Sequence, residues 1–195
     1  MILLGSTLTK APVMGLQTGG KIAQTKSAII DPATLTIIAY IVESSLLKEG
    51  IWVLRIADVR ELSDLGFIVD STDEFIHPED VLKVNEVYKL NFPLLDMPVI
   101  DEKRRKLGKV IDFTLETSTF TIQQLTVRRP LFKSFNDTEL LIHRSQIIEI
   151  NDDTIVVHSE AKAPEPELHE VVGSYVNPFR KSNSPTPESS DTKAS

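Results

Sequence analysis

Between Lys106 and Arg128 apolar and polar positions alternate in two runs separated by a short polar turn. Leu107, Ile111, Phe113 and Leu115 share one face of the first run, the period-two signature of a half-buried strand. On the return run Phe120 and Ile122 keep one parity while Leu125 and Val127 take the other, which predicts a β-bulge near Gln123 and Gln124. With Thr117-Ser118 at the turn, the segment reads as a β-hairpin. If it turns at Ser118, residue 107 faces 129 and residue 108 faces 128.

The same pattern stands earlier in the chain. Laid without gaps over Lys106–Arg128, the stretch Lys21–Glu43 matches identically at Lys21/Lys106, Thr34/Thr119, Thr36/Thr121, Ile37/Ile122 and Val42/Val127, and Asp31-Pro32 marks its turn. Further on, "IWVLRIADVREL" from Ile51 lies over "ELLIHRSQIIEI" from Glu139, and "GFIV" at Gly66 over "TIVV" at Thr154. Each unit is thus a hairpin, a further strand, a short turn and a closing strand. Curling such a meander into a small barrel buries one face and removes open edges. The expectation is a mostly β protein of two tandem small barrels, residues 1–75 and 93–160.

Residues 76–92 differ. "PEDVLKVNEVYKL", Pro78 to Leu90, opens with Pro and two acids, which suits a helix N-terminus. Val81, Val84 and Tyr88 share a face with Leu82 and Val87 flanking, so a short helix is expected to join the barrels and pack between them. After Glu160 the composition turns Pro- and Ser-rich. Within 161–181, Leu168, Val171, Val172 and Tyr175 fall at i, i+3, i+4 and i+7, a short amphipathic helix that either docks on its own barrel or anchors in a partner's groove. Residues 182–195 hold nothing that builds a core and are expected to be disordered.

The stretches "LGKVIDFTLE" and "IQQLTV" in the second unit, with "IIDPATLTIIAYIV" in the first, resemble the PRC-barrel family, named for the photosynthetic reaction-centre H subunit and found also at the C-terminal end of the ribosome-maturation factor RimM. The likeness spans most of Leu16 to Val157. It implies the PRC-type barrel fold and, through RimM, a setting in RNA metabolism or ribosome assembly. Family turns often carry a glycine where Leu35 and Phe120 stand here. The chain shows neither the membrane helix of the H subunit nor a RimM-type N-terminal barrel, so photosynthesis is not implied.

Composition narrows the function. The net charge of -7 argues against a surface built throughout to grip nucleic acid, and zero cysteines remove disulfides, thiolate catalysis and thiolate metal sites. No basic segment precedes the apolar Ile2–Leu4, so no secretory signal is expected, and the longest apolar run, near Ile37 to Val42, falls well short of the roughly 20 residues that span a bilayer. A cytoplasmic protein is the expectation.

His77, His143, His158 and His169 never fall at spacings that bring two imidazoles to one metal, and no Gly-rich phosphate loop or nucleophile elbow occurs. Neither catalytic residues, metal nor cofactor are expected. The local feature is charge. Lys103, Arg104, Arg105, Lys106 and Lys109 precede the hairpin's first strand or open it, and Arg128, Arg129 and Lys133 follow its second, so the two basic runs meet at one end. Such a patch is a solvated hairpin end, a grip for phosphates with Phe132 and Phe135 as stacking faces, or a contact for an acidic protein surface. The reading that follows is a non-enzymatic adaptor for a protein partner, ribosomal or RNA-processing, with RNA itself a possible ligand. Its rivals are a small-molecule sensor with a pocket between the barrels and a peripheral component of a membrane complex.

Overall fold

The computed structural model of the chain describes residues 1–129 and 139–158. Within them the protein is mostly β with one α-helix. Fourteen strands, numbered in chain order, fall into two sets. The first holds β2 (Pro12–Gly15), β3 (Gly20–Asp31), β4 (Thr36–Glu43), β5 (Trp52–Arg55), β6 (Glu61–Ser63) and β7 (Gly66–Val69). The second holds β9 (Pro98–Asp101), β10 (Lys106–Glu116), β11 (Thr121–Arg128), β12 (Glu139–His143), β13 (Ile147–Ile150) and β14 (Ile155–Val157). Two strands, β1 (Ile2–Leu4) and β8 (Phe75–Ile76), lie outside this scheme and pair with β10 and β5.

The two sets pair their strands in the same way. In each, the hairpin's first strand is flanked by an antiparallel neighbour, β2 on β3 or β9 on β10, and that neighbour pairs in parallel with the closing strand, β7 or β14. The irregularities coincide as well. The β3–β4 ladder slips between Thr25 and Ser27 and between Ile29 and Ile30; the β10–β11 ladder slips between Val110 and Asp112 and between Thr114 and Leu115, the positions that overlie them in the sequence. The second slip leaves Gln123 opposite no residue, which is where the change of side-chain parity predicted a bulge. The hairpin is closed by Glu116 opposite Thr121, so Lys109 rather than Gly108 faces Arg128. That one-residue difference arises because the turn occupies the four residues between that pair and is not centred on Ser118.

The expectation of two barrels, each closed on itself, differs from the observed hydrogen bonding. All fourteen strands belong to one continuous sheet that begins at β13 and ends at β6, and neither set closes. The sets join where the two hairpin turns meet. Thr36 pairs with Thr121, the Ile37 N–H donates to the Phe120 carbonyl at 2.9 Å, and the Ile122 N–H donates to the Leu35 carbonyl at 2.8 Å. These residues occupy matching places in the two hairpins, so the junction is a reciprocal contact of the kind that relates two copies across a two-fold axis.

Burial follows the junction. One core runs through both sets, including Val13, Ile37, Tyr40 and Phe67 from the first and Leu115, Phe120, Ile122 and Leu125 from the second. Aromatic rings bridge the sets: Phe67 stacks on Tyr40 with centroids 5.2 Å apart and meets Phe120 at 6.2 Å. The turn residues Leu35 and Phe120 have φ of 52° and 51°, in the left-handed region that favours glycine, yet each is only 5% exposed. Their side chains are core residues, which holds a backbone conformation that costs about 1–2 kcal/mol for a residue with a Cβ.

The helix α1 (Leu82–Leu90) follows a 3-10 turn at Pro78–Asp80 and ends at Asn91, whose φ of 47° gives a left-handed cap. Nine residues make a helix marginal by itself, so packing must hold it. It does not sit between the two sets of strands as expected. Val84 and Val87 form a second, smaller core with Ile29, Ala39 and Val53, all from the first set's hairpin and the strand after it. The second set has Thr114, Gln124 and Leu141 at the corresponding places, and Leu141 is 54% exposed. A helix with an apolar face finds apolar partners on the first set, which fixes its position. Leu82, expected to flank that face, points to solvent at 73% exposure. The C-terminal stripe of Leu168, Val171, Val172 and Tyr175 and the tail 182–195 lie outside the described residues.

Phe120→Gly tests the turn. Removing the ring from the core costs about 3–5 kcal/mol, while relief of the left-handed backbone returns about 1–2. A net loss of about 1–4 kcal/mol is expected in urea unfolding; a gain would mean that strain outweighs burial at the junction.

Candidate functional site

The basic end is built around one carboxylate. Asp101, at the end of β9, is 1% exposed; its Oδ1 accepts from the Lys103 N–H at 2.9 Å and the Arg105 N–H at 2.8 Å, and its Oδ2 accepts from Arg105 Nε at 2.6 Å. The Arg104 N–H returns to the Asp101 carbonyl at 2.8 Å, and Arg104 itself adopts a φ of 57°. The acid thereby shapes the tight connection into β10 and points Lys103 and Arg104 outward. Burial opposes ionisation of Asp101 and is the largest single influence, but the Arg105 N–H, the Arg105 guanidinium and the Lys103 N–H together outweigh it and hold its pKa below the ordinary 3.8.

Of the sequence-predicted cations, Arg105 is therefore committed to the fold. Lys103, Arg104, Lys106, Lys109 and Arg128 are exposed, Arg129 is half-buried, and none of the six forms an ion pair among the described residues. Lys106 pairs across to Ile100 and Lys109 faces Arg128 on the neighbouring strand. Like charges directly opposite each other weaken a strand pair, so this placement does not serve the ladder. Gly108 permits it: a Cβ there would overlap the Arg128 carbonyl oxygen, so only glycine lets β10 and β11 approach this closely. Two acids stand near these cations: Glu102 is drawn to His158, with Oε1 and Nδ1 2.6 Å apart, and Glu139 lies opposite Arg128 on β12. Lys133, Phe132 and Phe135, predicted to complete the patch, lie outside the described residues.

A second feature lies between the two sets, where the small-molecule reading expects a pocket, though the sequence singled out none of its lining residues for binding. A cleft of about 600 Å³ opens between β3 and β10, with the segment after α1 and the 3-10 turn Gly5–Leu8 at its margins. Tyr40 lines it; the residue is 2% exposed, burial raises its phenol pKa, and its hydroxyl has no hydrogen-bond partner among the described residues. Lys26 at its rim pairs with Glu43 at 2.9 Å, which raises the lysine pKa through the hydrogen bond and the charge.

The three described histidines are each engaged. His77 stacks on Trp52 with centroids 4.0 Å apart, His143 meets the Ser145 hydroxyl at 2.8 Å, and His158 meets Glu102. His169 lies outside the described residues. Among the described residues no group of three or more acids and histidines is placed to hold a metal ion, and no helix is long and apolar enough to cross a membrane.

Residues 92–163 match the family model of the PRC-barrel domain. The matched stretch begins in the segment after α1 and takes in the second set of strands from β9 to β14. The PRC-barrel likeness first read in "LGKVIDFTLE" and "IQQLTV" lies within it. The basic end lies within the matched stretch as well. No curated protein matches the chain.

Asp101→Asn tests the carboxylate. A folded-state pKa below the unfolded one means that the ionised group stabilises the fold fully above about pH 4, and that this contribution is lost as the pH falls through the folded value. The variant should be less stable than the wild type in urea at pH 6, with the gap narrowing below pH 3.8. A gap that stays constant down to pH 2.5 would show that the charge of Asp101 is not what shapes the turn.

Proposed function

We propose that the protein is a non-enzymatic adaptor made of two PRC-type β units and that it engages an acidic surface of a protein partner through the basic end of the second. The observation that carries this reading is the opposition of Lys109 and Arg128, beside Lys103, Arg104, Lys106 and Arg129, in a chain whose net charge is negative. An acidic protein that concentrates unpaired cations at one sheet end, and holds two of them face to face at some cost to the ladder, has a surface suited to an anionic partner. The matching connectivity of the two strand sets, with their shared bulge positions, supports reading the first set as a second PRC-type unit that diverged in its surface. The resemblance to the ribosome-maturation factors supports a cytoplasmic setting in ribosome assembly or RNA processing.

The test reverses four charges that do not hold the fold. Lys103, Arg104, Lys106 and Lys109, all exposed, are changed to Glu; Arg105 is spared because it binds Asp101, Arg128 because it faces Glu139, and Arg129 because it is half-buried. The far-UV spectrum and thermal midpoint should stay within a degree or two of the wild type, since exposed charges seldom hold a fold together. In a pull-down of the tagged chain at low salt, partners captured by the wild type should be lost with the variant and should survive ribonuclease. Loss of the same partners on ribonuclease treatment would make RNA the ligand of the patch, and capture unchanged by the four reversals would remove the patch from the function.

A further inference from the structure

We propose that the cleft between β3 and β10 is a binding site for a small organic acid, with an apolar body against Tyr40, Leu94 and Phe113 and its carboxylate at Lys10 and Lys26. This site is separate from the basic end and does not depend on the adaptor reading.

The cleft exists because matching residues of the two hairpins differ. Ser27 and Ala28 line one wall and their counterparts Asp112 and Phe113 the other. Where the second hairpin places a phenyl ring, the first has a methyl group. The space of about 600 Å³ lies within the roughly 300–1,000 Å³ of small-molecule pockets. Both walls carry a bulge at this height. Lys26 and Ile111 are the residues that the ladders skip, and both line the cleft. A bulge re-aims a side chain, and here one of the two is a cation.

The polar groups are unequal in what they have left to offer. Asp112 already accepts from the Ser6 N–H at 3.1 Å, from the Ser6 hydroxyl and from the Phe113 N–H at 2.8 Å, so its charge is well covered. Lys26 shares Glu43, while Lys10 is exposed and forms no ion pair among the described residues. Glu43 and Asp112 match the two lysines in number, but Glu43 is held by Lys26 and Asp112 by Ser6 and Phe113, which leaves Lys10 as the cation outside any ion pair among the described residues. Below it Leu94 and Phe113 are buried and apolar, and the Tyr40 hydroxyl, itself closed off from solvent, offers a ligand no contact. A lysine outside any ion pair over an apolar floor favours an amphipathic acid over a hydrocarbon.

The probe is 3-(4-hydroxyphenyl)propionate, with 3-(4-hydroxyphenyl)propanol as its uncharged analogue, titrated into the isotopically labelled full chain at low salt. Amide shifts should move saturably at Lys10, Lys26, Ala28 and Phe113, with the alcohol binding about tenfold more weakly, the equivalent of about 1.4 kcal/mol. Ala28→Phe copies the counterpart residue of the second hairpin and should abolish binding while keeping the wild-type spectrum elsewhere. Lys10→Gln, a surface change that leaves the fold intact, should erase the preference for acid over alcohol. Absence of saturable shifts at millimolar acid, shifts away from the cleft, or equal binding of the acid and the alcohol would overturn the proposal.

Discussion

The structure depends on the reciprocal pairing at Thr36 and Thr121. Two hairpins meet there turn to turn, and each contributes one N–H and one carbonyl from matching positions. Two backbone hydrogen bonds add a net stabilisation of only about 1–3 kcal/mol, so they cannot by themselves bind the sets together. What they do is fix register. With Ile37 and Ile122 locked against the opposite turn, Leu35 and Phe120 enter a shared interior, and the Phe120 ring reaches Phe67 of the first set. Burial of those side chains stabilises the junction more than the hydrogen bonds do, at roughly 25 cal/mol for each Å² removed from water. It also explains why bulky residues persist where backbone geometry favours glycine.

A junction of this form resembles an interface between two copies, and it constrains how the copies differ. Residues at the meeting point must stay compatible on both sides, and the outer faces are free of that demand. The first hairpin uses its outer face for Ile29, Ala39 and, through the next strand, Val53, and thereby takes the helix. The second has Thr114 and Gln124 in those places and no helix among the described residues. Charge is divided in the same way: Asp101 and the cations it displays stand where the first set has Leu16 and the Gly19-Gly20 turn.

Much of the hairpin was legible because side-chain parity is a local property. The switch of parity after Ile122 implied an extra residue, and the ladder skips Gln123. The meeting of the two basic runs at one hairpin end was legible for the same reason, although the facing pair, Lys109 and Arg128, lies one residue off the expected register. Three things were not. The joining of both sets into one sheet rests on a single pair of turn residues, and Thr36 and Thr121 carry no signal of pairing with each other. The placement of the helix could be read from its own apolar face only as far as "against something apolar"; the difference between Ile29 and Thr114 is what decides, and weighing it requires the two faces side by side. The left-handed backbone at Leu35 and Phe120 was not legible either: the sequence shows only that glycines common in the family are missing there, and the two residues reveal their role once they are seen buried.

The cleft follows the same logic at its sharpest. Neither Ala28 nor Phe113 is unusual in its own strand, and a bulge at Lys26 or Ile111 is an ordinary feature of a twisted hairpin. The cavity is a property of the pair, since it forms where joined walls that match in backbone fail to match in side-chain volume. Protein interiors resist such mismatches because each unfilled space loses dispersion contacts, at roughly 24 cal/mol per Å³ in buried sites. An open cleft lined by buried aromatic rings is tolerated more cheaply than a sealed void, but its apolar floor remains a standing cost unless something occupies it. That cost falls between β3 and β10, on walls supplied by both sets, so a molecule filling the cleft would touch and steady both sets of strands together.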